Sequence, residues 1–264
     1  MITDLYRYPV KGLSGEALDR VQLNLEYGIA GDRMVAIARN AGALPAVTEG
    51  LPKNHFLMLM RDEALALLDC QFLQAKKELV IRREGTVVLK GSIEEVADRS
   101  RIEQFFREYL GDASLDPRVV YSQEHRFTDI SRISDAKMRA ISLINVNSVI
   151  ALEHAIGEKI DLQRFRANVY FDGVPAWEEL NWINETISIG RAKARVVMPT
   201  ARCAATEVNP CTGERDLNIP KLIRQHFGHY HMGIYAEISH TGTVKIGDQT
   251  VALTDPPVVP EDER

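Results

Sequence analysis

The sequence predicts a mainly β protein with peripheral α-helices, its strands curling into a closed or partly closed barrel. Three observations carry this. Short runs of alternating or continuous apolar residues dominate the chain. The connections between them are short and punctuated by Gly, Pro, Asn and Asp. Only a few stretches space their apolar residues three and four apart, so helices sit at the periphery of a strand framework.

Ile2 to Tyr8 alternates and stops at Pro9, the pattern of a first strand. A glycine-containing loop, Pro9-Val10-Lys11-Gly12-Leu13-Ser14-Gly15, follows. Ala17 to Leu25 alternates again, and Met34 to Ala38 is a continuous apolar strand after the turn Gly28-Ile29-Ala30-Gly31-Asp32-Arg33. Asn40 to Asn54 reads as loop, Phe56 to Met60 as strand, and Ala64 to Leu68 as a short helix or strand. Glu78 to Arg83 and Thr86 to Lys90 flank Glu84-Gly85 as a hairpin. Ser92 and Glu95 have capping-box spacing, and the helix over Ser100 to Leu110 ends at Gly111.

Arg118 to Tyr121 is a strand. The polar stretch Gln123 to Lys137 is a surface loop and the best boundary, dividing residues 1–122 from 123–254. Ala140 to Ile144 is apolar. A helix runs from Asn147 to its stop at Gly157, with Asn145 or Asn147 as cap. Strands follow at Asn168 to Phe171, Thr186 to Ile189, Arg191 to Val197, Gly233 to Ser239 and Thr243 to Leu253. Asn218 to Phe227 is a helix with Pro220 in its first turn. Residues 255–264, rich in proline and charge, read as a disordered tail.

The totals exclude several classes. Of 264 residues, 45% are hydrophobic and 26% charged, enough for a substantial core without staples. A net charge of −5 gives no footprint for nucleic acid. Three cysteines make neither a disulfide framework nor a four-cysteine cluster, and a reducing compartment suits them. With no apolar leader and no membrane-length apolar run, the expectation is a cytoplasmic protein that does not engage a membrane. The triplet His226, His229 and His231 lacks a nearby carboxylate or cysteine and is a poor metal site.

Chemistry concentrates at Met198-Pro199-Thr200-Ala201-Arg202-Cys203-Ala204-Ala205-Thr206, after a strand. A thiol beside a guanidinium can persist as thiolate near neutral pH. Lys11, Arg33, Arg166 and Arg202 all stand at the ends of strand-like segments, the first two beside glycine turns, as an anionic ligand such as a phosphate requires.

Taken together, Tyr8-Pro9-Val10-Lys11-Gly12, Gly31-Asp32-Arg33, Arg164-Phe165-Arg166-Ala167-Asn168, Trp177-Glu178-Glu179, Arg202-Cys203 to Cys211-Thr212-Gly213 and the closing Gly242 to Asp248 resemble the MOSC family. The name refers to the C-terminal domain of molybdenum-cofactor sulfurases, and the resemblance spans residues 2 to 253. It implies a β-barrel MOSC domain preceded by a smaller β-rich N-terminal MOSC domain. It further implies that Cys203 binds molybdenum. Lys11, Arg33, Arg166, Asn168, Arg202 and Thr206, with Asn147 and Ser148 at a helix start suited to phosphate, would hold the molybdopterin cofactor. Thr48 falls near a further family segment that is altered here.

By resemblance to amidoxime-reducing proteins, the expected activity is reduction of a small N-hydroxylated substrate. Electrons would come from a separate ferredoxin- or flavin-type protein. Asp32 or Glu178 would relay protons. The alternatives are a sulfur carrier or sulfurtransferase using a Cys203 persulfide, and a non-catalytic carrier of the cofactor. Pyridoxal phosphate is disfavoured, since no lysine has the context of a Schiff base.

Overall fold

The computed structural model describes residues 1–43, 51–128 and 139–253. The chain is mainly β, built around a curled half-barrel sheet. The alternation after Met1 becomes strand β1 (Ile2–Arg7), which buries Ile2 and Leu5. It is followed by β2 (Glu16–Ala17), β3 (Arg20–Asn24), β4 (Gly28–Ile29) and the fully buried β5 (Val35–Ala38). The hairpin region is a three-stranded meander, β6 (Asp69–Leu73), β7 (Glu78–Arg83) and β8 (Thr86–Ser92). Helix α1 (Val96–Leu110) lays Ile102 and Phe106 into the same core as the meander, and β9 (Arg118–Tyr121) then pairs with β5.

The later half supplies most of the main sheet. Its elements are β10 (Ile141–Asn145), helix α2 (Val146–Ile156), β11 (Val169–Phe171), β12 (Thr186–Ile189) and β13 (Ala192–Ala201), then helix α3 (Ile219–Phe227), β14 (His231–His240), β15 (Gly242–Lys245) and β16 (Thr250–Leu253). The eight-stranded order is β16-β12-β13-β14-β10-β11-β1-β2. Its inner face buries Val196, Ile234, Leu143 and Phe171 with Ile2 and Leu5 of β1.

Two early strands join this later half. β1 runs antiparallel to β11, pairing Leu5 with Val169, and β3 pairs with β15 in the register Leu23 to Gly242. Sheet hydrogen bonding therefore crosses the expected 122/123 boundary twice. Val10, Leu13, Val35 and Ile37 join apolar residues between Leu57 and Leu115, among them Phe72 and Phe106, in a core of their own.

Several local expectations are corrected. Ser92 ends β8 instead of capping a helix: its hydroxyl accepts from the Glu94 amide, and its own amide donates to Asp98 at 2.7 Å. Phe56 to Met60 forms no strand, only a single bridge from Phe56 to Ala38, whereas Glu63–Leu67 is a 3-10 helix, the helical one of the two expected alternatives. β13 runs past Pro199 to Ala201, four residues beyond its expected end. Proline is tolerated there because β12 pairs only with Ala192 to Arg195, leaving Pro199 hydrogen-bonded territory on one side only. Thr48, the 129–138 part of the polar stretch, and the 255–264 tail lie outside the described residues.

Candidate functional site

One cleft gathers the chemistry. It is lined by Lys11, Arg33, Arg164, Arg166, Asn168, Thr200, Arg202, Cys203 and Thr206, with Gly12, Phe127, Ser142 and Tyr235 among the rest. The early loops bring Lys11 and Arg33, the turn before β11 brings Arg164, Arg166 and Asn168, and the end of β13 delivers Thr200 to Cys203. Residues from both halves of the chain thus share one wall-to-wall site.

Cys203 is partly exposed and extended, with φ −123° and ψ 176°. Thr206 fixes it from below: the Thr206 hydroxyl and amide both donate to the Cys203 carbonyl, at 2.9 and 3.0 Å. Thr206 thus acts on the cysteine backbone. Arg202 is a strut. Its Nε and Nη2 donate to the Met232 carbonyl, and Nη1 donates to the Phe165 carbonyl at 2.9 Å. Its positive charge still faces the cleft, and burial pulls its pKa down.

Arg33 and Arg166 flank the ring of buried Tyr8, their guanidinium carbons 4.8 and 4.6 Å from its centroid. Asp32 orients Arg33. Its carboxylate accepts from Arg33, from the Tyr8 amide at 2.7 Å and from Asn168 Nδ2 at 3.2 Å. Arg33 also donates to the Arg166 carbonyl at 3.0 Å. Burial works against the charge on Arg33, but Asp32 outweighs it and the net direction is up. Among the described residues no carboxylate pairs with Arg166: burial, with Arg33 adding to it and Tyr8 opposing, pushes it down to about 10. Both conformations are left-handed, φ 48° at Arg33 and 52° at Arg166, so each cation is turned by a strained backbone position.

Asn168, 1% exposed, is the knot behind these cations. Its Oδ1 accepts from the Ser142 amide and hydroxyl, both at 3.1 Å, while Nδ2 donates to the Tyr6 carbonyl and Asp32. Lys11 is 9% exposed and donates to the Phe127 carbonyl at 3.0 Å. The expected proton relay finds no support: Asp32 is filled with donors, and neither it nor Glu178 lines the cleft.

Asn147 and Ser148 are not part of the cleft lining. The α2 start is turned inward, onto buried Glu179. Ser148 Oγ donates to both Glu179 oxygens, at 2.8 and 3.0 Å, and Asn145, the true cap, donates to Glu179 at 3.0 Å while accepting from the Asn147 amide. Asn147 Nδ2 donates to the Val174 carbonyl at 2.7 Å. A carboxylate already occupies this helix terminus, so it is not open to a phosphate.

Two residues went unselected in the sequence. Arg164, 5% exposed, is anchored by Asp216 at 2.6 Å and by the Glu207 carbonyl at 3.0 Å, and its Nε has no partner. Thr200, 2% exposed, carries a hydroxyl with no hydrogen-bond partner. The i, i+2 repeat of arginine in Arg164-Phe165-Arg166 was the available signal for the first. No local signal marked Thr200.

The histidine triplet holds no metal cage: among the described residues no group of three His, Cys, Asp or Glu is placed to bind a metal. Among the described residues no helix is long and apolar enough to cross a membrane.

Comparison with known proteins follows the same line. Residues 124–251 match the family model described as MOSC domain. Molybdenum cofactor sulfurase of Drosophila melanogaster is 32% identical over 138 residues, covering 51% of this chain and 17% of that protein. Mitochondrial amidoxime-reducing component 1 of Xenopus laevis is 25% identical over 152 residues, covering 53% and 44% respectively. The match thus spans less than half the length of either relative. Among solved structures, the YuaD protein of Bacillus subtilis is similar at 12% identity and a TM-score of 0.40, over 95% of this chain and 94% of that one. The segment that matches the MOSC domain model, residues 124–251, builds most of the eight-stranded sheet and contains Cys203 just beyond the end of β13.

Proposed function

We propose that the cleft binds the molybdenum cofactor and that the chain reduces small N-hydroxylated compounds, with electrons from a separate ferredoxin- or flavin-type protein. The observation that carries this reading is the convergence of Lys11, Arg33, Arg164, Arg166 and Arg202 around one partly exposed cysteine. Buried cations crowded together are costly unless an anion joins them. The residues fit the group. The sulfur of Cys203 is a soft ligand suited to molybdenum, the cations suit a pterin phosphate, and Thr200 and Arg164, whose hydroxyl and Nε find no hydrogen-bond partner among the described residues, belong to the same lining.

When bound, the cofactor would supply a redox metal for two-electron reduction. The chain's own residues bind and orient it. Cys203 is held by Thr206, Arg33 is aimed by Asp32 and Asn168, and Arg202 braces the strand end. Gly12, at φ +84°, lets the Lys11 loop pass close by, since a Cβ there would meet the Leu57 carbonyl oxygen at 2.9 Å.

Protein purified from a cofactor-producing host is expected to reduce a model N-hydroxy substrate with an artificial electron donor, and Cys203→Ser to abolish this. A second reading, sulfur transfer through a Cys203 persulfide, draws on the partial exposure of the thiol and the higher identity to the sulfurase. A persulfide on Cys203 in protein that takes up no molybdenum would replace the first reading with the second. Pyridoxal phosphate stays disfavoured: Lys11 is the one lysine among the described lining residues, and its ammonium donates to the Phe127 carbonyl.

A further inference from the structure

A second cavity, of about 340 Å³, lies among the early elements and shares no residue with the cleft. Tyr27 reaches it from the turn before β4, Gly31 from the turn after it, Lys77 from the turn between β6 and β7, Tyr121 from the end of β9, and Arg126 from the segment beyond. It takes no part in the reading above.

Arg126 is the telling residue. It is 4% exposed, and its Nη1 is held by the carbonyls of Gln123 at 3.0 Å and His125 at 3.3 Å. Its Nε is buried with no acceptor, and among the described residues no carboxylate forms an ion pair with it. Asp32 acts on it only from a distance, being committed to Arg33, the Tyr8 amide and Asn168. A buried guanidinium left this way calls for an anion.

The rest of the lining agrees. Lys77 adds a second cation, 5.4 Å from the Tyr121 ring centroid, and the Arg126 guanidinium carbon lies 5.9 Å from that of Tyr27. Lys77 also pairs with Glu94, which is not part of the lining. Two phenol rings therefore line the same space as two cations. Gly31, at φ +79°, lets the turn pack close to Gln74 and Arg7, since a Cβ there would stand 3.0 Å from Gln74 Oε1 and 3.2 Å from Arg7 Nη1.

We propose that this cavity is a binding site for a flat aromatic ring bearing an anionic group, with Arg126 and Lys77 taking the anion and Tyr27 and Tyr121 packing the ring. A forked guanidinium matches a carboxylate, and phenol faces match a ring. The site is independent of the cofactor cleft.

Benzoate, acetate and inorganic phosphate serve as probes in thermal-shift titrations of the full chain. Benzoate is expected to raise the melting temperature saturably, and acetate and phosphate to do so several-fold less effectively. The benzoate shift is expected to vanish in Arg126→Gln, to weaken in Tyr27→Ala and to survive Arg166→Gln. Arg126→Gln removes an uncompensated buried charge, so the unliganded variant is expected to melt no lower than wild type, which separates lost binding from lost folding. A shift that persists in Arg126→Gln, or that disappears in Arg166→Gln, overturns the assignment. So does phosphate matching benzoate, or wild type showing no response up to about 10 mM, weaker than the millimolar range expected of a fragment.

Discussion

Asn168 shows how one buried amide sets the geometry of several charges. It bridges Ser142 on β10, the Tyr6 carbonyl on β1 and Asp32, and Asp32 in turn aims Arg33. Asn168→Ala strands the Ser142 amide and removes one of the two donors to Asp32 Oδ1, so a loss of about 2–3 kcal/mol is expected in denaturant unfolding, together with weaker cofactor retention. Glu179 gives a pH signature. Burial pushes its pKa up, with Ser148 and Asn145 partly offsetting it. The folded value lies above the unfolded one, so its stabilising contribution is complete below the ordinary glutamate pKa and is lost as pH rises through the raised value. Unfolding midpoints of wild type should therefore fall relative to Glu179→Gln as pH rises across the weakly acidic range, and a constant or widening advantage for wild type would contradict this. The same residue explains a misreading. A helix start beside Asn147 and Ser148 looks like a phosphate site, because the carboxylate that fills it comes from 31 residues away. Lys11, Arg33, Arg166, Arg202 and Cys203 were legible because each stands at a loop end in a recognisable segment. Thr200 was not, since its place in the cleft is set by tertiary packing, and Arg164 was signalled only by its i, i+2 spacing from Arg166.

Among the elements, β13 and β14 carry the site. β13 extends past Pro199 to place Cys203 at its exit, and β14 supplies the Met232 carbonyl that grips Arg202. Next to Met232, Gly233 has φ +79°, and a Cβ there would stand 2.2 Å from the Leu143 carbonyl oxygen. Gly233→Ala is expected to cost about 3 kcal/mol through strain and crowding, read as a lowered melting temperature, and to loosen the Arg202 strut. The strands were readable from alternation, and α3 from Pro220 in its first turn; the structure adds Asn218 as its cap, accepting from the Lys221 amide. Extension through Pro199 was not readable, because whether a proline breaks a strand depends on which side has a partner. Ser92 failed for a related reason. Its spacing to Glu95 fits a cap, but pairing with β7 claims it first.

At the scale of the molecule, a net charge of −5 conceals a cationic cleft. The average was legible and the local excess was not, since the lysine and arginines meet only through the fold. The two halves are tied by β1 to β11, by β3 to β15 and by the Arg166 bond to the Leu13 carbonyl. A ligand held from both halves stabilises the whole chain by mass action, so cofactor-loaded protein should melt as one transition and higher than cofactor-free protein. Two separated transitions on loading would argue that only one half takes part. The most direct test is the molybdenum and pterin content of wild type and Cys203→Ser purified side by side from a cofactor-producing host. The account predicts near-stoichiometric molybdenum in wild type and its loss in the serine variant, with the melting temperature of the cofactor-free proteins little changed. Equal molybdenum in both proteins, or none in either, would contradict it.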